Sequence, residues 1–267
     1  MSAITVGARR YRLRAACAAL LTVLALAGAG QALHAAGAAP ERNKLTGTWD
    51  RDPAGGAGLD PRYTSRTPAP DPPLKPEYKT EWLARQKAAR EADERGQPLY
   101  SNYTHCLPDG MPAMMMAMFP MEVLQTPGQI TIIQEAYNQV RRIYLDEKQV
   151  PIGDAEPGFW GHSVGHWQGD ALVVNTVGIK DRVRFRDVPH SDQMQIDERI
   201  RLLTPDKFQD EITLTDPVYL TQPWSFTWTY QRRPGYKILE YVCESNREYQ
   251  DPQNGGTRMR LGAPPPH

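Results

Sequence analysis

The chain has 267 residues, with 31 Lys and Arg against 31 Asp and Glu, 3 Cys, 24 Pro, 21 Gly and 40% hydrophobic residues. Balanced charge lacks the clustered cation excess that contact with a nucleic-acid backbone requires, and three cysteines are too few for a disulfide-dense mini-domain. A negative mean hydropathy excludes a bundle of membrane-spanning helices, while the apolar content is too high for a disordered polyelectrolyte.

Arg9, Arg10, Arg12 and Arg14 precede an apolar run over residues 15–29, and Ala36, Gly37 and Ala38 follow as small residues. That order is an export signal, expected to cover residues 1–38 and to be removed. The apolar run is shorter than the ~20 residues a permanent span needs. The mature chain is therefore expected in the periplasm or outside the cell, with no stable membrane span. Cleavage also removes Cys17 and leaves Cys106 and Cys243, an even pair in a compartment where disulfides persist, so the two are predicted to be bonded.

Residues 39–76 are rich in Pro and Gly and poor in aliphatics, which predicts an extended segment draped on a larger body. Pro76 as a start signal, and Gly96 with Pro98 as stop signals, bound a helix over 77–96. Its apolar stripe of Tyr78, Trp82, Leu83 and Ala89 is narrow. Residues 97–250 are then written in period two. Trp224, Phe226, Trp228 and Tyr230 alternate with small polar residues, Phe208, Ile212 and Leu214 alternate with Gln209, Glu211 and Thr213, and Met194, Ile196, Ile200 and Leu202 do likewise. Ten strands are predicted, at 45–51, 122–126, 130–135, 139–145, 163–167, 171–177, 193–203, 208–215, 224–232 and 236–244. Hairpin signals without intervening helices imply an antiparallel meander, and closing it into a barrel removes the exposed edges. The expected fold is mainly β, with one helix packed outside the barrel and a disordered tail over 251–267.

The Gly47-Thr48-Trp49 triplet resembles the G-x-W first strand of lipocalin-like barrels. A second resemblance rests on Cys106-Leu107-Pro108-Asp109-Gly110-Met111-Pro112, Pro120-Met121-Glu122-Val123, Gln125-Thr126-Pro127-Gly128, Arg141-Arg142-Ile143-Tyr144, Gly161-His162-Ser163-Val164-Gly165, Gly169-Asp170, Leu172-Val173-Val174, Pro189-His190-Ser191 and Glu240-Tyr241-Val242-Cys243-Glu244. In this order the motifs resemble a family of exported bacterial proteins. Asn175 and His166 depart from its pattern. The resemblance implies export and one common domain over roughly residues 100–250, and it implies no activity.

Several groups could carry chemistry. Gly161-His162-Ser163-Val164-Gly165 fits the G-x-S-x-G nucleophile elbow, but the elbow needs a strand before it and a helix after it, and neither flank reads that way. His162 and His166 would share one helix face, yet the glycines around them favour a strand, where that spacing is ~13 Å. His105 also lies in a loop. Six methionines between residues 111 and 121 could hold cuprous copper, or could fill an apolar gap at one end of the barrel. No other cofactor is implied.

Alternation points Glu198 inward among Met194, Ile196, Ile200 and Leu202, and places Glu240 with Tyr236, Ile238 and Val242, and Arg142 with Val140 and Tyr144. Buried charges pair, shift their pKa or meet a polar ligand. A Glu198–Arg142 ion pair is the structural expectation. The catalytic one makes Glu198 a general acid or base with His162 or His190, in a hydratase, isomerase or hydrolase. Trp160, Trp167, Tyr144, Arg142 and Glu240 are the expected ligand contacts, since aromatics line barrel mouths. Arg182, Arg184 and Arg186 alternate in the 178–192 connection and could draw an anion to one end. The leading reading is an exported barrel that binds a small apolar or aromatic molecule, with acid–base catalysis or copper handling as alternatives.

Overall fold

The computed structural model describes residues 45–52, 69–96, 99, 102, 106–117, 119–243, 248–250 and 257–259, the last two as backbone only. The export signal, His105 and most of the tail lie outside the described residues, as does the middle of the 39–76 segment.

The alternating segments become β1 (Gly47–Asp52), β2 (Met121–Thr126), β3 (Gln129–Gln134), β4 (Gln139–Leu145), β5 (His162–Gln168), β6 (Ala171–Val177), β7 (Gln195–Thr204), β8 (Lys207–Thr215) and β9 (Trp224–Arg232). They form one closed barrel in chain order, with β1 pairing both β2 and β9. Every neighbour is antiparallel except β4 and β5, which run parallel. The connection over 146–161 makes that step, carrying the chain back along the barrel before β5 begins. The tenth expected strand, at 236–244, does not form over its described residues 236–243; the chain there lies against the β3–β4 turn, where Asn138 Nδ2 donates to the Tyr241 carbonyl at 2.8 Å. Its alternating pattern has no free sheet edge to join, because β9 already pairs with β8 and β1. Two short strands, β10 (Glu248–Gln250) and β11 (Thr257–Met259), form a separate hairpin inside and beyond the expected end of the domain.

The single helix, α1 (Pro76–Glu94), opens with Pro at its first turn and packs on the outside. It buries Trp82 and Ala92, while Tyr78 packs on Tyr219 at 4.5 Å and Leu83 stays exposed. Residues 69–75 lie along the body, with Lys75 N donating to Tyr219 O and Trp224 Nε1 to Pro70 O. Cys106 and Cys243 are joined by a disulfide with Cα atoms 5.5 Å apart. Closing a loop of 137 residues stabilises by about 4 to 5 kcal/mol if the effect is entropic.

Candidate functional site

The inward faces decide what the barrel can hold. Glu198 on β7 points to the axis and is 2% exposed, as the alternation predicts. Its partner is Arg141, not Arg142. Arg141 is fully buried, Nη1 reaches Glu198 Oε1 at 2.8 Å, and Nη2 closes a second, short contact on Oε2. Register decides between them: β4 turns Gln139, Arg141 and Ile143 inward, which leaves Arg142 exposed on the outer wall. Arg141 also donates to Ser163 Oγ at 3.2 Å and to Thr176 Oγ1 at 3.1 Å, and those two hydroxyls bond each other at 2.8 Å. Ser163 is therefore a buried ligand of an arginine within a strand. It is not on an exposed elbow.

A second carboxyl stands beside this pair. Asp210 on β8 is fully buried, and among the described residues no N–H or O–H reaches either of its oxygens. Its hydrogen-bond partner is the Glu198 carboxylate, an arrangement that closes only if Asp210 carries the proton and donates it. Burial first, and the Glu198 charge second, hold the Asp210 carboxyl well above the usual carboxylate range. Burial also holds the Tyr230 phenol well above its ordinary value, so it stays a neutral donor. The signal for Asp210 is the same alternation that marks Glu198, since it shares a face of β8 with Phe208, Ile212 and Leu214.

The space above this network is occupied. Met111, Met114 and Met115, in and before a 3-10 turn at Ala113–Met116, are fully buried in the same apolar cluster as Trp49, Phe208 and Tyr230. Tyr230 Oη donates to the Met115 carbonyl and Arg51 Nη1 to that of Met116. Met111, Met114 and Met115 thus form a plug with their side chains in the core. Among the described residues no group of three His, Cys, Asp or Glu side chains is placed to hold a metal. An enclosed apolar void of about 10 Å³ remains among the described residues against Met115, Ile143 and Phe208, far too small for an organic ligand.

The other expected site residues are scattered. His162 stacks on Tyr144 with ring centroids 5.4 Å apart, on the outer wall, and neither meets Glu198. His190 sets both ring nitrogens against backbone carbonyls, of Lys180 at 3.0 Å and Ser191 at 3.1 Å, and lines an apolar recess of only about 20 Å³. Trp160 and Trp167 are half-buried, each with a buried indole N–H that lacks a partner among the described residues. Glu240 is exposed on the irregular chain after β9. The acid–base triad of Glu198, His162 and His190 is thus not assembled, because successive side chains of a strand face opposite walls and His190 belongs to a loop with its own bonds.

A substantial concavity among the described residues is at the rim. A cleft of about 560 Å³ lies between the plug, α1 and the connection after β6. Ala113, Met116 and Phe185 supply its apolar wall, and Asp109, Arg182 and Arg184 its charged edge. The wall is held in place from behind. Val183 and Phe185 turn into the core, Trp82 Nε1 donates to Arg186 O at 2.9 Å, and Arg85 Nε bonds Asp187 Oδ1 at 2.9 Å. Arg186 and Asp187 both sit at positive φ, 54° and 59°, a cost of about 1 kcal/mol or more each that the surrounding bonds must offset. Burial raises the Asp109 carboxyl, and a hydrogen bond with Gln139 offsets part of that rise. The alternating arginines and the methionine run were the sequence signals nearest this cleft; its walls come from segments as far apart in the chain as Arg85 and Asp187.

Searches with models of protein families and against curated proteins give no match. Among solved structures, the crystal structure of the wild-type fluorescent protein UnaG aligns with 43% of this chain and 72% of its own at 15% identity and a TM-score of 0.25. That degree of likeness says nothing about this chain's ligand.

Proposed function

We propose that this chain is an exported binding protein that takes a small apolar or aromatic molecule in the rim cleft, with the barrel as its rigid support. The observation that carries this reading is the contrast in space: about 560 Å³ at the rim against about 10 Å³ within. Ligand sites range over ~300–1,000 Å³ and combine apolar walls with a few fixed polar groups, which describes the rim and not the interior. Export rests on the charge, apolar and small-residue order of the first 38 residues, and a disulfide suits an oxidising compartment. The motif resemblance over residues 100–250 supports the same placement.

The neutral fluorophore N-phenyl-1-naphthylamine tests the cleft directly. It is expected to bind with a blue-shifted emission, and Ala113→Trp, which fills the cleft from the plug side, is expected to weaken it about tenfold or more. Absence of binding, or an affinity unchanged by Ala113→Trp in a variant with wild-type circular dichroism, overturns the reading. Sequencing the N-terminus of the exported protein is expected to begin after Ala38.

A further inference from the structure

The cleft's arginines are not equivalent. Arg186 is engaged by Asp71 Oδ1 at 3.1 Å and by the carbonyls of Ala69 and Pro70, and Arg85 is engaged by Asp187. Arg184 faces no carboxylate among the described residues. Its one hydrogen bond to the described residues runs from Nε to the Asp181 carbonyl at 3.4 Å, and both terminal nitrogens are uncommitted among them.

Its placement is a product of the fold. Val183 and Phe185 anchor the connection in the core, so the residues between and before them, Arg184 and Arg182, turn outward. Hydrogen bonds from α1 to Arg186 and Asp187 then fix the following turn. A guanidinium carried on a backbone already immobilised loses less freedom on binding than one on a free loop, and its planar fork matches carboxylate, sulfonate or phosphate oxygens. An exposed arginine alone holds an anion weakly in water, because solvent and salt screen the pair. Beside an apolar wall of Met116, Ala113 and Phe185 the two contributions add on one ligand.

We infer that the cleft selects amphipathic organic anions, with the acidic head on Arg184 and the apolar body against Met116, Ala113 and Phe185. This deepens the binding reading above and rests on it. Asp109, Asp181 and Asp187 line the same cleft and would repel such a head; Asp187 is already held by Arg85, and the head is assigned to the terminal nitrogens of Arg184.

Two probes with the same ring system separate the inference from the reading beneath it: 8-anilinonaphthalene-1-sulfonate and neutral N-phenyl-1-naphthylamine. The sulfonate is expected to bind about tenfold tighter than the neutral probe at low salt and to lose that advantage as salt rises. Arg184→Gln is expected to reduce the ratio of sulfonate to neutral affinity about tenfold, and Arg184→Lys to restore part of it. Equal affinities, or a ratio unchanged in Arg184→Gln, overturn anion selection while neutral binding still supports the cleft. Failure of both probes to bind overturns the cleft itself, and anion selection with it.

Discussion

Asp210 shows what one buried carboxyl does to the energetics of the barrel. In the folded state it keeps a proton that the unfolded chain releases above an ordinary value of ~3.9. The native state therefore binds more protons than the unfolded one across that window. The stability this group contributes is present in full below about pH 3.9 and is lost as pH rises towards the folded value. Asp210→Asn replaces the acid with a neutral group of the same shape that still donates to Glu198. Urea unfolding is expected to show the wild type losing stability relative to Asp210→Asn between pH 4 and 8, with the variant about 1–2 kcal/mol the more stable at pH 7. A constant difference across that range would show that Asp210 does not carry the proton. At this scale the alternation in β7 made Glu198 legible, whereas β4 offered two sets of alternate residues, and the apolar neighbours Val140 and Tyr144 pointed to the wrong one. A strand's own pattern cannot choose its inner wall when both sets mix charge with apolar surface; the cross-barrel partner does.

The plug is the element that turns a barrel into a filled one. It starts at Gly110, whose φ is +72° and whose missing Cβ would lie 2.4 Å from the Phe159 carbonyl oxygen. Met111 N donates to that same oxygen at 2.9 Å, and Gly110 N to Gln139 Oε1 at 3.2 Å, so the backbone cannot retreat without breaking both bonds. Gly110→Ala is expected to cost about 2–4 kcal/mol in urea unfolding. Gly128, in the β2–β3 turn, has a similar φ of +77° but nothing within 4 Å of an added Cβ. Gly128→Ala should cost only about 1 kcal/mol, the conformational part alone. Equal costs would mean that the plug is not packed as tightly as its contacts imply. The methionine run was visible as a gap-filler, and so was the loop character of its flanks. Nothing in its order says that it enters the barrel, since that depends on which mouth the chain between α1 and β2 must cross.

At the scale of the molecule, the disulfide ties the chain just before the plug to the segment after β9. It is expected to act mainly on the unfolded ensemble. The paired Cys106→Ser and Cys243→Ser variant should lose up to about 4 to 5 kcal/mol of stability in urea, with the barrel's far-ultraviolet circular dichroism retained. A variant as stable as wild type would place those two thiols apart in solution. Nine of the ten expected strands, the outer helix, their order and the cysteine pair were legible in the sequence. Those follow from local signals, period-two alternation, turn residues and capping, or from the parity of cysteines. Packing in three dimensions sets that β4 and β5 run parallel, that Arg141 and Asp210 join Glu198, and that methionines occupy the interior while a cleft opens at the rim. Each of these is set by atoms distant in the chain competing for the same volume, and volume is a quantity no single segment encodes.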